Sequence, residues 1–267
     1  MNEVFDGARI ALCLSFLIYA SWSDYKTREV SNRVWAILAP SAFALTSFQF
    51  FMFAPELLYN YALSFMLTSA LSLALFYAGA FGGADAKALI CLSLALPFYP
   101  AHLLQPPHDF VFLFFPITVF TNAVLLAALS AFYALLRNSL WKSRTKRGLF
   151  QGLEKESIGR KILTLICGYK VEISELKKKE YLYPLEDVYV TETGESKRRL
   201  LVFPKDEERE EIVERILKAT EEGKLENEVW TTPGLPMLIF ITAGLIFALA
   251  LGDIVWIVLG SVFVRGI

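Results

Sequence analysis

The sequence predicts an α-helical polytopic membrane protein: six transmembrane helices, with a small α+β domain inserted before the last of them. Three observations carry this. The 267-residue chain is 55% hydrophobic with a mean hydropathy of +0.46, more apolar material than a soluble domain of this length needs. Its apolar runs hold almost no charge and approach the roughly 20 residues that cross a bilayer at a rise of about 1.5 Å each. One charged, mixed stretch, 138–232, breaks the pattern.

The expected spans are residues 5–23, 33–54, 57–81, 84–100 and 110–136, and a last one beginning near 235. The first is weakened by Asp6 and Arg9 near its start. The fourth is the shortest, and it can still cross if Lys87 carries its ammonium to the interface along its apolar stem. Residues 1–137 are thus read as a membrane domain, 138–232 as a soluble domain and 233–267 as the final span. Basic residues orient the whole. Lys26, Arg28 and Arg33 follow the first span, and Arg137, Lys142, Arg144, Lys146 and Arg147 follow the fifth, while the alternate loops hold Glu56 and Asp109 with two histidines. The positive-inside rule then sets the N-terminus outside and the soluble domain in the cytoplasm of a multi-pass cell-membrane protein. The N-terminus lacks a basic n-region and a small-residue cleavage site, so its apolar run reads as a retained span.

Within the soluble stretch, "KVEISEL" and "VYVTETGESKRRLLVF" read as strands, the latter a hairpin turning at Thr193-Gly194. Residues 206–222 read as an amphipathic helix. Ile212 and Ile216 share one face beside Val213 and Leu217, and Gly223 supplies the stop. The acidic run Asp206–Glu211 suits that helix's N-terminus. A domain so small should lean on the membrane part for stability.

Several functions are disfavoured. A net charge of -1, with no basic stripe and interleaved aromatics, argues against nucleic acid. Cys13, Cys91 and Cys167 have no paired spacing, and His102 and His108 lie in a Pro-rich loop without obvious partners, so neither a metal nor a cofactor is implied.

Two carboxylates stand out. Asp24 follows "LIYASWS" at the end of the first span, and Asp85 follows "GAFGGA" at the start of the fourth. The topology puts both at the cytoplasmic edge. Juxtamembrane acids are often merely solvated, and glycines often serve helix packing alone. Around Asp85, however, Gly82 and Gly83 allow a tight, open turn beside the carboxylate.

"GGADAK" resembles the G-x-G-D-x-K element of membrane-embedded aspartyl peptidases, and "SDYKTREVSNRVW" resembles the segment around their first aspartate. With "EVWTTPGLP" before the last span, the pattern is similar to the archaeal preflagellin peptidases, relatives of the type IV prepilin peptidases. The resemblance implies hydrolysis of a peptide bond near the cytoplasmic face, with Asp24 and Asp85 catalytic and Gly82, Gly83 and Lys87 supporting. The partners would be the lipid bilayer and preflagellin or prepilin-like precursors, each a short basic leader followed by a hydrophobic helix. Ala84 stands where the element usually has a second glycine. If that position needs a left-handed backbone, alanine would be strained there.

The chemistry fits the residues. No serine or cysteine has a histidine partner on the cytoplasmic side, whereas two neighbouring carboxylates can hold one proton between them and activate water. Lys87 is either a cation steadying the developing oxyanion or an interfacial anchor. Asp253 falls roughly 27 Å along the last span, too far to join the pair, and suggests a helix break or an outer-interface role. Two alternatives stay open. One is a broader type IV prepilin peptidase. The other, of a different class, is a proton- or cation-coupled transporter using the same acids, although the spans offer few ionisable groups at midplane depth.

Overall fold

The computed structural model describes residues 2–101, 104, 113–190, 196–201, 209–234 and 236–257. The histidine loop, the 193–194 turn and residues 202–208 lie outside them. The chain divides into two compact units, Met1–Ala127 with Pro236–Ile267, and Ala128–Leu235.

The first unit is helical. Helix α1 (Asn2–Thr27) leads to α2 (Asn32–Phe53), which Ser31 caps by accepting from the Arg33 N–H. A single 3-10 turn, Pro55–Leu57, precedes α3 (Leu58–Tyr77). Gly79, at φ 74, turns the chain into α4 (Gly83–Ala95), a conformation that a side chain would strain. Helix α5 (Phe115–Thr145) begins here and runs on into the second unit, and α9 (Met237–Leu251) returns to the first.

Four of these are long and apolar enough to cross a membrane: α1, α2, α3 with its preceding turn, and α5. The other two expected spans are shorter helices. Helix α4 stops at Ala95 rather than 100, and at 13 residues rises only about 20 Å. Helix α9 breaks at Gly252. Helix α4 compensates for its length by position. Beyond Lys87 its sides are apolar but for Ser93, and it packs against α1, α2, α3 and α9, with Ala88, Leu89, Leu92 and Ala95 buried.

The second unit pairs β1 (Tyr169–Glu172) and β2 (Leu182–Pro184) antiparallel to a central β5 (Glu228–Pro233). Strands β3 (Glu186–Val190) and β4 (Ser196–Leu200) form the expected hairpin, Glu186 opposite Leu200. The "KVEISEL" strand is half right. It ends at Glu172, and Ile173–Lys178 form a short helix, α7, because Ile173 and Leu176 turn together into the core. Helix α6 (Ile158–Cys167) precedes the sheet, and α8 (Arg209–Glu221) covers it with Ile212, Val213 and Ile216 buried. Gly223, at φ 69, ends α8 as expected. Trp230, fully buried, stacks on Phe150 at 5.1 Å.

Candidate active site

Asp24 sits one turn from the end of α1, half-buried. The turns that follow are fixed locally. Thr27 Oγ1 donates to Ser23 O and Glu29 O, and Ser23 Oγ donates to Glu29 O. Arg28 N donates to Asp24 O at 3.0 Å, and Arg28 itself is left-handed, at φ 57. A non-glycine residue held there is strained, which marks the segment after Asp24 as structurally committed. One turn earlier Ser21 bonds the Leu238 carbonyl at 2.9 Å and the Thr242 hydroxyl at 2.7 Å, locking α1 to α9.

Asp85 occupies the third position of α4 and is buried. Its Oδ2 accepts from the Gly82 N–H at 3.0 Å, so the carboxylate caps its own helix, where the dipole favours negative charge. Gly82 is needed for close packing. A Cβ there would meet Asp85 Oδ2 at 3.1 Å. Gly83 has more room, its nearest neighbour being Phe76 at 3.7 Å. Ala84 lies within the helix, and among the described residues the only side-chain-bearing positions with positive φ are Arg28 and Lys146. The expected strain at Ala84 is therefore absent. The left-handed turn falls at Gly79, where a glycine is present.

Helices α1 and α4 pack together, and Asp24 lies within electrostatic reach of Asp85, as Arg28 does of Asp24. Among the described residues neither aspartate has a basic side chain at ion-pairing distance. Lys87 points elsewhere: its ammonium donates to Asn32 Oδ1 at 2.7 Å and ties α4 to the start of α2. Asn32 had no signal in the sequence. Arg28 did, but only as one of the basic residues following the first span.

Asp253 is buried far along the chain in the turn after Gly252. It accepts from Thr121 Oγ1 and from the amides of Val255 and Trp256. Asn122 completes the turn, donating to Gly252 O and accepting from Ile254 N. This is the helix break the sequence suggested.

The sequence pattern of the Type IV leader peptidase family matches residues 11–135, and that of the Archaeal Peptidase A24 C-terminus Type II matches residues 160–254. A preflagellin peptidase of Methanococcus voltae is 27% identical over 252 residues, covering 91% of this chain and 94% of its own. A preflagellin peptidase of Methanococcus maripaludis is 25% identical over 245 residues, covering 89% and 92%.

Proposed function

We propose that this chain is a membrane protease of the type IV leader peptidase family and that it cleaves by an aspartyl mechanism with Asp24 and Asp85 as its acids. One observation carries the reading: Asp85, buried beneath Gly82 at the head of α4, lies within electrostatic reach of Asp24 with no cation paired to either among the described residues. A structural acid in an apolar setting needs a paired partner. A catalytic pair needs room for a proton instead.

One carboxylate takes a proton from a water molecule as its oxygen attacks the scissile carbonyl carbon. The other, protonated, donates to the carbonyl oxygen, giving a neutral gem-diol. The first carboxyl then gives its proton to the amide nitrogen while the second carboxylate takes one from a gem-diol hydroxyl. The C–N bond breaks to an acid and an amine, and the pair again holds one proton. Like charges so placed resist ionising together, which divides the roles of acid and base.

The substrate would be a preflagellin or similar type IV prepilin-like precursor, cut between a short basic leader and its hydrophobic helix. Basic residues after α1 and at the end of α5 support a cytoplasmic site with the N-terminus outside. In this topology α4 and α9 complete six crossings, and the soluble domain, 138–232, is cytoplasmic. The test is to incubate the protein, reconstituted in bilayers, with leader-bearing precursors and to sequence the new N-terminus. A single new end at the leader boundary is expected. Acid-driven flux into vesicles with intact precursors would replace the protease by a carrier.

A further inference from the structure

Helix α6 is inside out for a helix in water. Its small polar Thr164 is buried, while Ile158 is 76%, Ile162 50%, Leu163 46% and Ile166 38% exposed. Residues 158, 162 and 166 recur every fourth position, and 163 lies beside them, so the four make one apolar face. Unpaired apolar faces of this kind mark a surface meant to be covered.

The depth of α6 identifies what covers it. Along α5 within the same unit, Leu129, Phe132, Tyr133, Leu135, Leu136 and Leu140 are exposed, and Lys142 and Arg144, exposed and without an ion pair among the described residues, follow immediately. If α5 crosses the bilayer, its apolar belt therefore ends near Leu140. Asn138, one turn or less inside that limit, holds α6: its Nδ2 donates to Leu165 O at 3.2 Å and to Gly168 O at 2.8 Å. The next residue, Tyr169, packs edge-on to Tyr133 at 6.2 Å and beneath the Arg137 guanidinium at 3.8 Å. Tyrosine and arginine are the residue types that gather at a bilayer interface. The end of α6 is thus pinned level with the lipid-facing surface of α5.

We propose that α6 is an interfacial helix, its Ile158, Ile162, Leu163 and Ile166 face sunk into the boundary between headgroups and acyl chains. The polar flank is already satisfied within the protein. Arg160 pairs with Glu156 at 3.1 Å, and Lys161 donates to Glu154 O at 2.8 Å. Apolar burial therefore drives the insertion, with the exposed Lys142 and Arg144 placed to meet phosphates beside it. The inference needs only that α5 crosses the bilayer, and stands apart from the cleavage reaction.

Spin labels on the full chain in lipid nanodiscs test it. Exposed Cys167 is first replaced by serine, Cys13 and Cys91 being buried. Single labels are then placed by Ile162→Cys, Leu163→Cys and Arg160→Cys, with Ile158→Cys as the substitute if a central label disturbs the helix. Molecular oxygen concentrates among acyl chains and a nickel chelate stays in water. The expected result is several-fold greater oxygen than nickel accessibility at 162 and 163, reversed at 160. Equal nickel access at all three would overturn the proposal. So would a 162 label shielded from both reagents, which would mean that protein covers the face.

Discussion

Helix α1 carries an acid near each end, and the two ends are finished in opposite ways. At the first, buried Asp6 forms an ion pair with buried Arg9 and accepts from Gln49 Nε2 at 3.3 Å. Arg9 continues outward to the Ala95 carbonyl at the end of α4, which Thr46 also caps, and lies over the Phe50 ring at 5.5 Å. At the other end Asp24 lies within electrostatic reach of the head of the same α4, where among the described residues Asp85 has only a backbone N–H. One central helix is thus closed at its C-terminal end by a cation and left at its N-terminal end with two acids. The difference teaches how to tell structural from chemical charge in an apolar setting. Ionisable groups are costly there, so a paired acid accounts for itself, and an acid left beside another acid asks for a function.

The strongest way to break this contrast is to neutralise the open end. Asp24→Asn and Asp85→Asn should each lower precursor cleavage by about 1000-fold or more, within the range that general acid–base groups contribute. Folded yield should be unchanged. Asparagine at 85 keeps an oxygen to accept the Gly82 N–H, and among the described residues the Asp24 side chain accepts no hydrogen bond that its helix would lose. The check is a gel-shift cleavage assay beside the melting curve. Cleavage surviving in either variant would make the open end ordinary.

The closed end should respond in reverse. Arg9→Met leaves Asp6 buried without its cation and should destabilise the membrane unit by about 3–5 kcal/mol. Replacing both partners, as Asp6→Leu with Arg9→Met, should return much of that loss, since a well-packed apolar pair avoids desolvation. Thermal unfolding in micelles measures both, and the double variant should still cleave.

Between these lies Gly82→Ala. The added Cβ would come within 3.1 Å of Asp85 Oδ2 and push the carboxylate from its cap. A displacement of about 1 Å can cost on the order of 100-fold in rate. The fold should hold, because alanine is tolerated at the backbone angle found there, φ -72. Single-turnover cleavage is the measurement.

The sequence made the outline of this contrast readable, and physical reasons explain what it left out. Asp24 and Asp85 were legible because acids beside long apolar runs are rare, and Gly82 because glycine before a carboxylate allows close approach. The hairpin and α8 followed from alternation and from the Ile212–Ile216 spacing. Asp6 and Arg9 looked like flaws in a span, since pairing at i and i+3 shows only that they can meet, not that Gln49 and Ala95 close around them. The length of α4 was misjudged for a related reason. Hydropathy registers apolar residues through 100, but not where the backbone leaves the helix, whereas Asp253 did mark the break after α9. "KVEISEL" failed because four residues of strand and six of helix share the same apolar beat.

A third acid, in the sheet-bearing unit, sharpens what closure means for pH. Asp187 is buried, which opposes its charge, but hydrogen bonds from Arg215 at 3.0 Å and Arg199 at 2.8 Å outweigh this and hold its carboxyl below the usual range. A depressed value stabilises the fold above the unfolded value of 3.8 and is lost as pH falls through the folded one. Acid unfolding followed by Trp230 fluorescence should therefore steepen below about pH 4, and Asp187→Asn should flatten that limb. With Arg199 and Arg215 both half exposed, the cost at neutral pH should be only about 1 kcal/mol.

The smallest expected effect concerns Lys87, which sits two residues from Asp85 and invites a catalytic reading. Its ammonium is exposed and bonded to Asn32 at 2.7 Å, so it serves the join between α4 and α2 rather than the acids. An exposed bond of this kind is worth about 1 kcal/mol or less. Lys87→Met keeps the apolar stem that packs along the helix and removes only the charge. Cleavage should fall by no more than a few-fold, and Asn32→Ala should reproduce whatever loss appears, because both changes delete the same contact. If Lys87→Met instead abolished turnover while Asn32→Ala did not, the cation would have to swing toward Asp85 during the reaction. The open end would then be open only until substrate arrives.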